Sequence, residues 1–403
     1  MDRIRNPFAP GAGNPPPELA GRATLIEDAH AVLGRIRAGR PSQGMILIGL
    51  RGVGKTVLLS EIRDVAEAEE YDVVFIEAHE GKTLAEMLVP PLRETLFSLN
   101  RVEHAKHLAA RGLRVLRSFL GAINVTIEGI SYGLGVEPET GTADSGDLEA
   151  DLPRLLEVIA EAAKAAGKPI LLLVDEIQYL ASHEFSALIM GLHRVNQRQF
   201  PMVMIAAGLP QTLALAGNSK SYAERLFRYP EVGALEEADA RLALEAPAKA
   251  EGAAFEADAI EKILQTTKRY PYFLQQWGYD SWNCAEGPSI SGADVDCATE
   301  HALRELDQSF FKVRFDRCTP AEKRYMRALA ELGPGKQRSG DVADQLGVKV
   351  TSLGPVRNSL IRKGMIYSPA HGDTAFTVPL FDEFMKRMMP NTGARLGEDN
   401  GQG

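Results

Sequence analysis

The chain has 403 residues, 45% of them hydrophobic, and a formal net charge of −9. That length exceeds one ordinary core and predicts about two to four globular domains, and the acidic balance excludes a protein that coats nucleic acid or anionic membrane along its whole surface. Three cysteines, Cys284, Cys297 and Cys318, lack close paired spacing, so neither a disulfide framework nor a zinc site is implied, and they read as buried free thiols. The start, MDRIRNPFAP, has no apolar signal core and no stretch approaches 18 uninterrupted apolar residues, so a cytoplasmic location with no membrane contact is expected.

Asn6 to Glu18 (NPFAPGAGNPPPE) is rich in proline and glycine and predicts an extended lead-in with no core of its own, placed where it can lie across a bound ligand. A helix over about Ala23 to Ala38 closes this first segment, residues 1–40. Met45 to Leu59 (MILIGLRGVGKTVLL) then carries the strongest signal in the chain. Gly49, four residues, Gly54, Lys55 and Thr56 match the G-x-x-x-x-G-K-[ST] phosphate loop, between a buried strand (Met45 to Ile48) and a helix (Thr56 to Glu69). Glycines let backbone N–H groups approach phosphate oxygens, the lysine reaches the outer phosphates, and the hydroxyl binds Mg2+. The nucleotide-binding set is Gly49, Gly52, Gly54, Lys55, Thr56 and Val57, with the anion at a helix N-terminus.

Tyr71 to Ile76 predicts a second strand, with Glu77 and His79 at its exit, the end of an open α/β sheet where ligands bind. Thr83 to Leu120 reads as helices broken near Pro90 and Pro91. Alternating apolar residues from Ile123 to Val136 predict an inserted hairpin near 122–136, and Asp147 to Ala166 predicts a helix. Ile170 to Gln178 (ILLLVDEIQ) is a buried strand ending in two carboxylates, Asp175 and Glu176, at the sheet edge where the phosphate loop opens. Asp175 suits Mg2+ and its water. Glu176 suits the polarisation of an attacking water, because phosphoryl transfer needs positioning and charge compensation more than covalent help.

Gly49 to Thr56, Asp175-Glu176-Ile177-Gln178, Ala20-Gly21-Arg22 and the C-terminal arrangement described below resemble the AAA+ ATPases related to origin-recognition and Cdc6-type proteins and to archaeal-type signalling ATPases. The resemblance implies an α/β fold: a parallel P-loop sheet core over residues 41–235, a helical lid over 236–316 and a C-terminal winged helix-turn-helix over 317–390. It implies that Arg22 and its neighbours contact adenine, and that a polar sensor follows the strand Pro201 to Ala207, where this chain has Gly208, with Gln211 and Thr212 close enough to substitute or to cap a helix. Arg225 and Arg228, just before a last sheet strand around Pro230 to Leu235, are the candidates for an arginine finger, with Arg225 favoured. A finger acting in trans requires a homo-oligomer. Arg269 and Pro271 fit alternative lid motifs, a sensor arginine and a turn beside the adenine. Phe273, Trp277 and Trp282 read as lid core.

The last stretch changes in charge. Between Pro320 and Pro390 there are eleven Lys and Arg against seven Asp and Glu, a local excess of four positive charges. Helices over Ala321 to Leu332, Ser339 to Leu346 and Thr351 to Lys363, followed by a hairpin of Met365 to Tyr367 and Ala375 to Val378 around His371-Gly372-Asp373, make the pattern of a winged helix. If it reads duplex DNA, Lys349, Thr351, Ser352, Arg357 and Asn358 reach bases or phosphates, with Arg338, Arg362 and Lys363 on phosphates. Phe381, Phe384 and Met385 predict a closing helix and residues 391–403 a disordered tail. The function expected is an ATP- and Mg2+-dependent ATPase acting as a nucleotide-controlled DNA-binding switch. The alternative is a STAND-like signalling ATPase whose winged helix docks a protein partner.

Overall fold

The computed structural model describes residues 1–11, 13–123, 136–219, 223–370 and 372–390. Its centre is a parallel sheet of β1 (Gly44–Ile48), β2 (Asp72–Glu77), β3 (Ile170–Asp175), β4 (Met202–Gly208) and β5 (Phe227–Arg228), in the order β2-β3-β4-β1-β5. Every residue of β1, β3 and β4 is buried, which explains why they read as unbroken apolar runs. Side chains alternate between two cores. Met45, Leu47, Leu171, Leu173, Val203 and Ile205 face the layer of α1 (Ala23–Arg37) and α2 (Lys55–Ala68). Ile46, Ile48, Leu172, Val174, Met202 and Met204 face the other layer, α3 (Leu84–Asn100), α4 (Lys106–Ala122), α5 (Leu148–Ala166) and α6 (Ser182–Gln197). Glu184 ties that second layer together, accepting from the Leu84 amide at 2.7 Å and the Ala181 amide at 2.9 Å, so one carboxylate caps α3 and α6 at once.

Short helices α7 (Thr212–Ser219) and α8 (Ala223–Leu226) lead to β5. Then α9 (Glu237–Ala250), α10 (Ala257–Thr267), α11 (Pro271–Cys284) and α12 (Gly292–Leu306) follow, with a two-residue parallel pair of β6 (Ala254–Phe255) and β7 (Ser289–Ile290). A π turn over Asp307–Phe311 leads into α13 (Lys312–Asp316). The C-terminal elements are α14 (Pro320–Glu331), β8 (Gln337–Arg338), α15 (Ser339–Leu346), a 3-10 turn over Val350–Leu353, α16 (Gly354–Arg362), β9 (Ile366–Tyr367), β10 (Asp373–Phe376) and α17 (Phe381–Met388). Their small sheet is antiparallel, in the order β8-β10-β9. One continuous apolar core runs from Leu244, Ile263 and Trp277 through Phe311 to Tyr325, Leu360 and Phe384, so the helical region and the C-terminal elements share their packing.

Several expectations need correction. α3 runs straight through Pro90 and Pro91. Two interior prolines cost roughly 3 kcal/mol each, but burying Leu88, Leu92, Leu96 and Leu99 returns roughly 1.5–3 kcal/mol apiece and a capping box at Thr83 and Glu86 anchors the start. The last sheet strand lies at Phe227–Arg228, with only a single bridge from Ile48 to Glu231 beyond it, so Arg228 is inside the strand. Cys284 and Cys297 form a disulfide, because α11 ends where α12 passes and their Cα atoms are 6.4 Å apart; Cys318 alone is a buried free thiol. The third C-terminal helix begins at Gly354, since Pro355 suits a first turn and leaves the residues before it in a tighter 3-10 turn. The hairpin expected near 122–136 lies almost wholly outside the described residues, as do His371 and the tail 391–403. No helix among the described residues is long and apolar enough to cross a membrane.

Candidate active site

The loop from β1 to α2 turns through Gly52 and Gly54, whose φ values of +82° and +90° only glycine adopts without strain. Gly52 has a second constraint, since a Cβ there would stand 3.2 Å from the Tyr272 side chain. The loop curls around Lys55, which is buried and donates to the Gly49 and Leu50 carbonyls, each at 2.9 Å. Burial pushes the Lys55 ammonium down to about 8, against the upward pull of the Glu176 and Asp175 carboxylates, and the Arg51 charge adds to the lowering. Thr56 Oγ1 donates to Asp175 Oδ2 at 2.6 Å. Burial raises Asp175 above the usual carboxylate range, opposed by the Thr56 hydroxyl.

Glu176 follows at the sheet edge in a left-handed backbone conformation (φ +51°), and its amide is held by Asp175 Oδ1 at 2.8 Å. Its Oε2 accepts from the Gln178 amide, and its Oε1 lies 3.7 Å from Arg51 Nη1. Gln178 in turn accepts from the Leu209 amide at 3.0 Å, just past β4. This explains Gly208. A Cβ at Gly208 would stand 2.4 Å from Thr212 Oγ1 and 3.1 Å from Gln178 Oε1, so Gln178 and Thr212 fill the space a side chain there would need. Gln211 reaches away from the loop, donating to the Ile361 carbonyl at 3.4 Å, and Thr212 Oγ1 has no partner among the described residues.

Arg51, Gly52, Gly54, Lys55, Thr56 and Glu176 line a cleft of about 660 Å³, within the roughly 300–1,000 Å³ of small-molecule sites. The lead-in forms one wall: Phe8 is buried in the helical core, and Ala9, Gly11, Gly13, Asn14 and Pro16 line the opening. Arg22 is buried at the floor, donating to the Val53 carbonyl at 3.2 Å and the Gly233 carbonyl at 2.6 Å; burial lowers its pKa, opposed by Asp239. Val57 and Glu77 also line the cleft, while His79 is exposed and does not. Of the two lid alternatives, Pro271 lines the cleft with Tyr272, and Arg269 does not. Phe273, Trp277 and Trp282 are buried in the helical core.

Several cleft residues, Arg314, Phe310 and Tyr272 among them, had no signal in the sequence. Arg314 lines the far wall, 4.0 Å over the ring of Phe310, which stacks on Tyr272 at 4.7 Å. Burial, with Arg51 nearby, pushes the Arg314 guanidinium down to about 10. A lone arginine about 260 residues after the phosphate loop carries no motif, so only the fold brings it here.

A model described as an AAA ATPase domain matches residues 18–205, which hold the phosphate loop, Asp175 and Glu176. This segment is an AAA ATPase domain. A second model, described as a domain of unknown function (DUF8462), matches residues 308–385, so its first helical turns supply Ser309, Phe310 and Arg314 to the cleft of the AAA domain. A Walker-type ATPase of Pyrococcus abyssi is similar in fold, with a TM-score of 0.59 at 14% identity over 91% of this chain and 96% of that one. The Orc1 protein of Aeropyrum pernix in complex with DNA (TM-score 0.47, 14% identity, 95% and 96% covered) and Cdc6p of Pyrobaculum aerophilum (0.47, 15%, 97% and 98%) are more distant in shape. No curated protein matches the chain.

The AAA family implies a nucleotide with a metal ion. The residues fit both: an open glycine loop at a helix N-terminus with a buried lysine for phosphate, and the Thr56 hydroxyl beside the Asp175 carboxylate as oxygen donors for a hard cation. Beyond the AAA domain, Arg225 is exposed on α8 and Arg228 pairs with Asp28 at 3.4 Å. Among the C-terminal candidates, Lys349, Thr351, Ser352 and Asn358 are exposed. Arg357 is not available in that way. Its guanidinium binds Thr374 Oγ1 at 2.9 Å, Ser368 Oγ at 2.8 Å and the Asp373 carbonyl at 2.8 Å, because the face of α16 that carries it packs on β10. Lys363 is likewise spent on Glu322 at 2.7 Å.

Proposed function

We infer that the protein binds and hydrolyses ATP with Mg2+ and uses the nucleotide state to control a C-terminal winged helix that binds duplex DNA. The observation that carries the ATPase reading is the contact of Thr56 with Asp175 at 2.6 Å, with Glu176 next in the chain at the mouth of the same cleft. Thr56 and Asp175 would hold the cation, which neutralises phosphate oxygens when bound. Lys55 exchanges its two carbonyl partners for the outer phosphates, and Glu176 orients the attacking water and takes its proton. Arg314 adds positive charge from the far wall. Arg225, exposed near the sheet edge, is the residue we assign to a neighbouring subunit's nucleotide in a homo-oligomer.

For the DNA step, α14 to α16 with β8, β10 and β9 follow the element order of a winged helix-turn-helix. Exposed Lys349, Thr351, Ser352, Asn358 and Arg362 form the surface we assign to the duplex. One observation favours a protein partner instead: Val348 and Val350, 45% and 49% exposed, flank Lys349 on that surface. Binding of the purified protein to labelled duplex DNA at two salt concentrations, with no nucleotide, ADP, or ATP plus Mg2+, separates the two. The DNA reading predicts affinity that falls steeply with salt and changes with nucleotide. No binding in any nucleotide state leaves the signalling ATPase with a docked protein.

A further inference from the structure

Arg51 is an unmarked position of the phosphate loop, yet it meets three parts of the molecule. Its backbone N–H donates to the Thr377 carbonyl at 3.1 Å. Thr377 is wholly buried, and its hydroxyl donates to the Gly364 carbonyl at 2.5 Å and the Met365 carbonyl at 3.2 Å, so the segment that receives the loop is locked into the C-terminal fold. The Arg51 guanidinium donates from Nη2 to the Tyr179 hydroxyl at 2.7 Å and puts Nη1 3.7 Å from Glu176 Oε1. Gly364, at φ +62°, is what lets the C-terminal segment come so near: a Cβ there would stand 2.7 Å from Arg51 Nη2 and 3.4 Å from the Tyr179 hydroxyl.

With Gln178 on the other oxygen, both carboxylate oxygens of Glu176 are engaged. A carboxylate hydrogen-bonded at one oxygen and ion-paired at the other is poorly placed to take a proton from water. Arg51 also keeps a donor in reserve, since its Nε is buried and without a partner among the described residues. The guanidinium lines the nucleotide cleft. A triphosphate brings several negative charges there against the single carboxylate of Glu176, so the phosphates win the competition for the guanidinium.

We propose that Arg51 is a positioning residue that holds Glu176 away from catalysis while the C-terminal segment 364–377 is docked on the loop, and that triphosphate releases both by drawing the guanidinium off. The proposal rests on the reading of Glu176 as the group that activates water. It makes the nucleotide's effect on the C-terminal fold a local event at one side chain, with differential contacts in the two states as any ligand-driven shift requires.

The test uses the full chain as wild type, Arg51→Ala, Arg51→Lys and Gly364→Ala, with Glu176→Gln as the hydrolysis control. Amide hydrogen exchange across 50–53 and 364–377, with and without a non-hydrolysable triphosphate plus Mg2+, is read beside turnover and KM for ATP. Triphosphate should raise exchange in both segments of the wild type, and Arg51→Ala and Gly364→Ala should show raised exchange at 364–377 without nucleotide. Turnover in those two variants should rise roughly three- to tenfold with KM within about threefold, and Arg51→Lys should sit nearer to wild type. General damage to the loop lowers turnover and raises KM. Exchange at 364–377 indifferent to triphosphate and to Arg51, with turnover of Arg51→Ala at or below wild type while Glu176→Gln is inactive, overturns the proposal. If Glu176→Gln turns over like wild type, the role of Glu176 falls, and with it the claim that Arg51 restrains catalysis; the exchange data then decide the docking contact alone.

Discussion

Thr56 and Asp175 are 119 residues apart in sequence and 2.6 Å apart in the fold, joined hydroxyl to carboxylate. Parallel pairing of β1 with β4, and of β4 with β3, sets that meeting: both residues leave the sheet at the same edge, one through the loop into α2 and the other at the end of β3. In the proposed site, the contact brings two oxygen donors for a cation beside the lysine assigned to phosphate.

Removing the charges there should separate binding from chemistry. Lys55→Ala is expected to abolish ATP binding, by at least about a hundredfold in Kd, because the proposed site makes the buried Lys55 ammonium the main phosphate partner. Glu176→Gln should bind ATP within about threefold of wild type and lose roughly 100-fold or more in turnover. Equilibrium titration with a fluorescent ATP analogue and a phosphate-release assay check the pair.

Lys55 also predicts a pH dependence. Burial brings its pKa down to about 8, so below that value the free protein already carries the charged form that phosphate needs, and above it a proton must be taken up on binding. Kd for ATP should be flat below about pH 7 and rise by up to tenfold per unit above about 8, with proton uptake measurable by calorimetry in buffers of different ionisation enthalpy. A flat Kd to pH 9.5 would remove the assignment.

Arg314 is expected to distinguish nucleotides. Arg314→Ala should weaken ATP binding by roughly 10- to 150-fold, since a charge-assisted contact to an anion is worth about 1.5–3 kcal/mol. ADP should be affected less if the guanidinium meets the terminal phosphate. Competition titrations with both nucleotides give the ratio, and equal losses would place Arg314 elsewhere along the ligand.

Glu322 should control the acid stability of the C-terminal fold. Burial alone would push its carboxyl up, but Lys363, the Thr319 amide and the Ser359 hydroxyl outweigh it and hold it down to about 2. A depressed carboxyl stabilises the fold fully above the ordinary value near 4.5, and that contribution is lost as pH falls toward 2. Glu322→Gln should cost about 2–4 kcal/mol at pH 7, because it leaves the Lys363 charge without its partner, and should flatten the acid limb of a thermal-melt series between pH 5 and 2.

Much of the site was legible in the residues themselves. Gly49 to Thr56 and Asp175-Glu176 each combine a local residue pattern with an adjacent buried strand, and local pattern is what short-range sterics and backbone hydrogen bonding act on. The boundaries of α1, α5 and α15 followed from local pattern in the same way. Pro90 and Pro91 misled because their local cost is real, and only the leucines packed beneath α3 outweigh it. Arg357 misled because a basic residue on a presumed reading helix looks the same in sequence whether it faces solvent or the strand behind it.

The sequence by itself determined the phosphate loop, the two carboxylates after a buried strand, and the alternation of strand and helix that makes a parallel sheet, because each depends on neighbours a few residues away. The tertiary structure alone decided what surrounds them. Arg314 in one cleft with Lys55, the lead-in along its wall, Gln178 in the space beside Gly208, and Arg51 between Glu176 and the Thr377 carbonyl all join residues tens to hundreds of positions apart. Such contacts are set by how whole layers pack, and no periodicity along the chain encodes them.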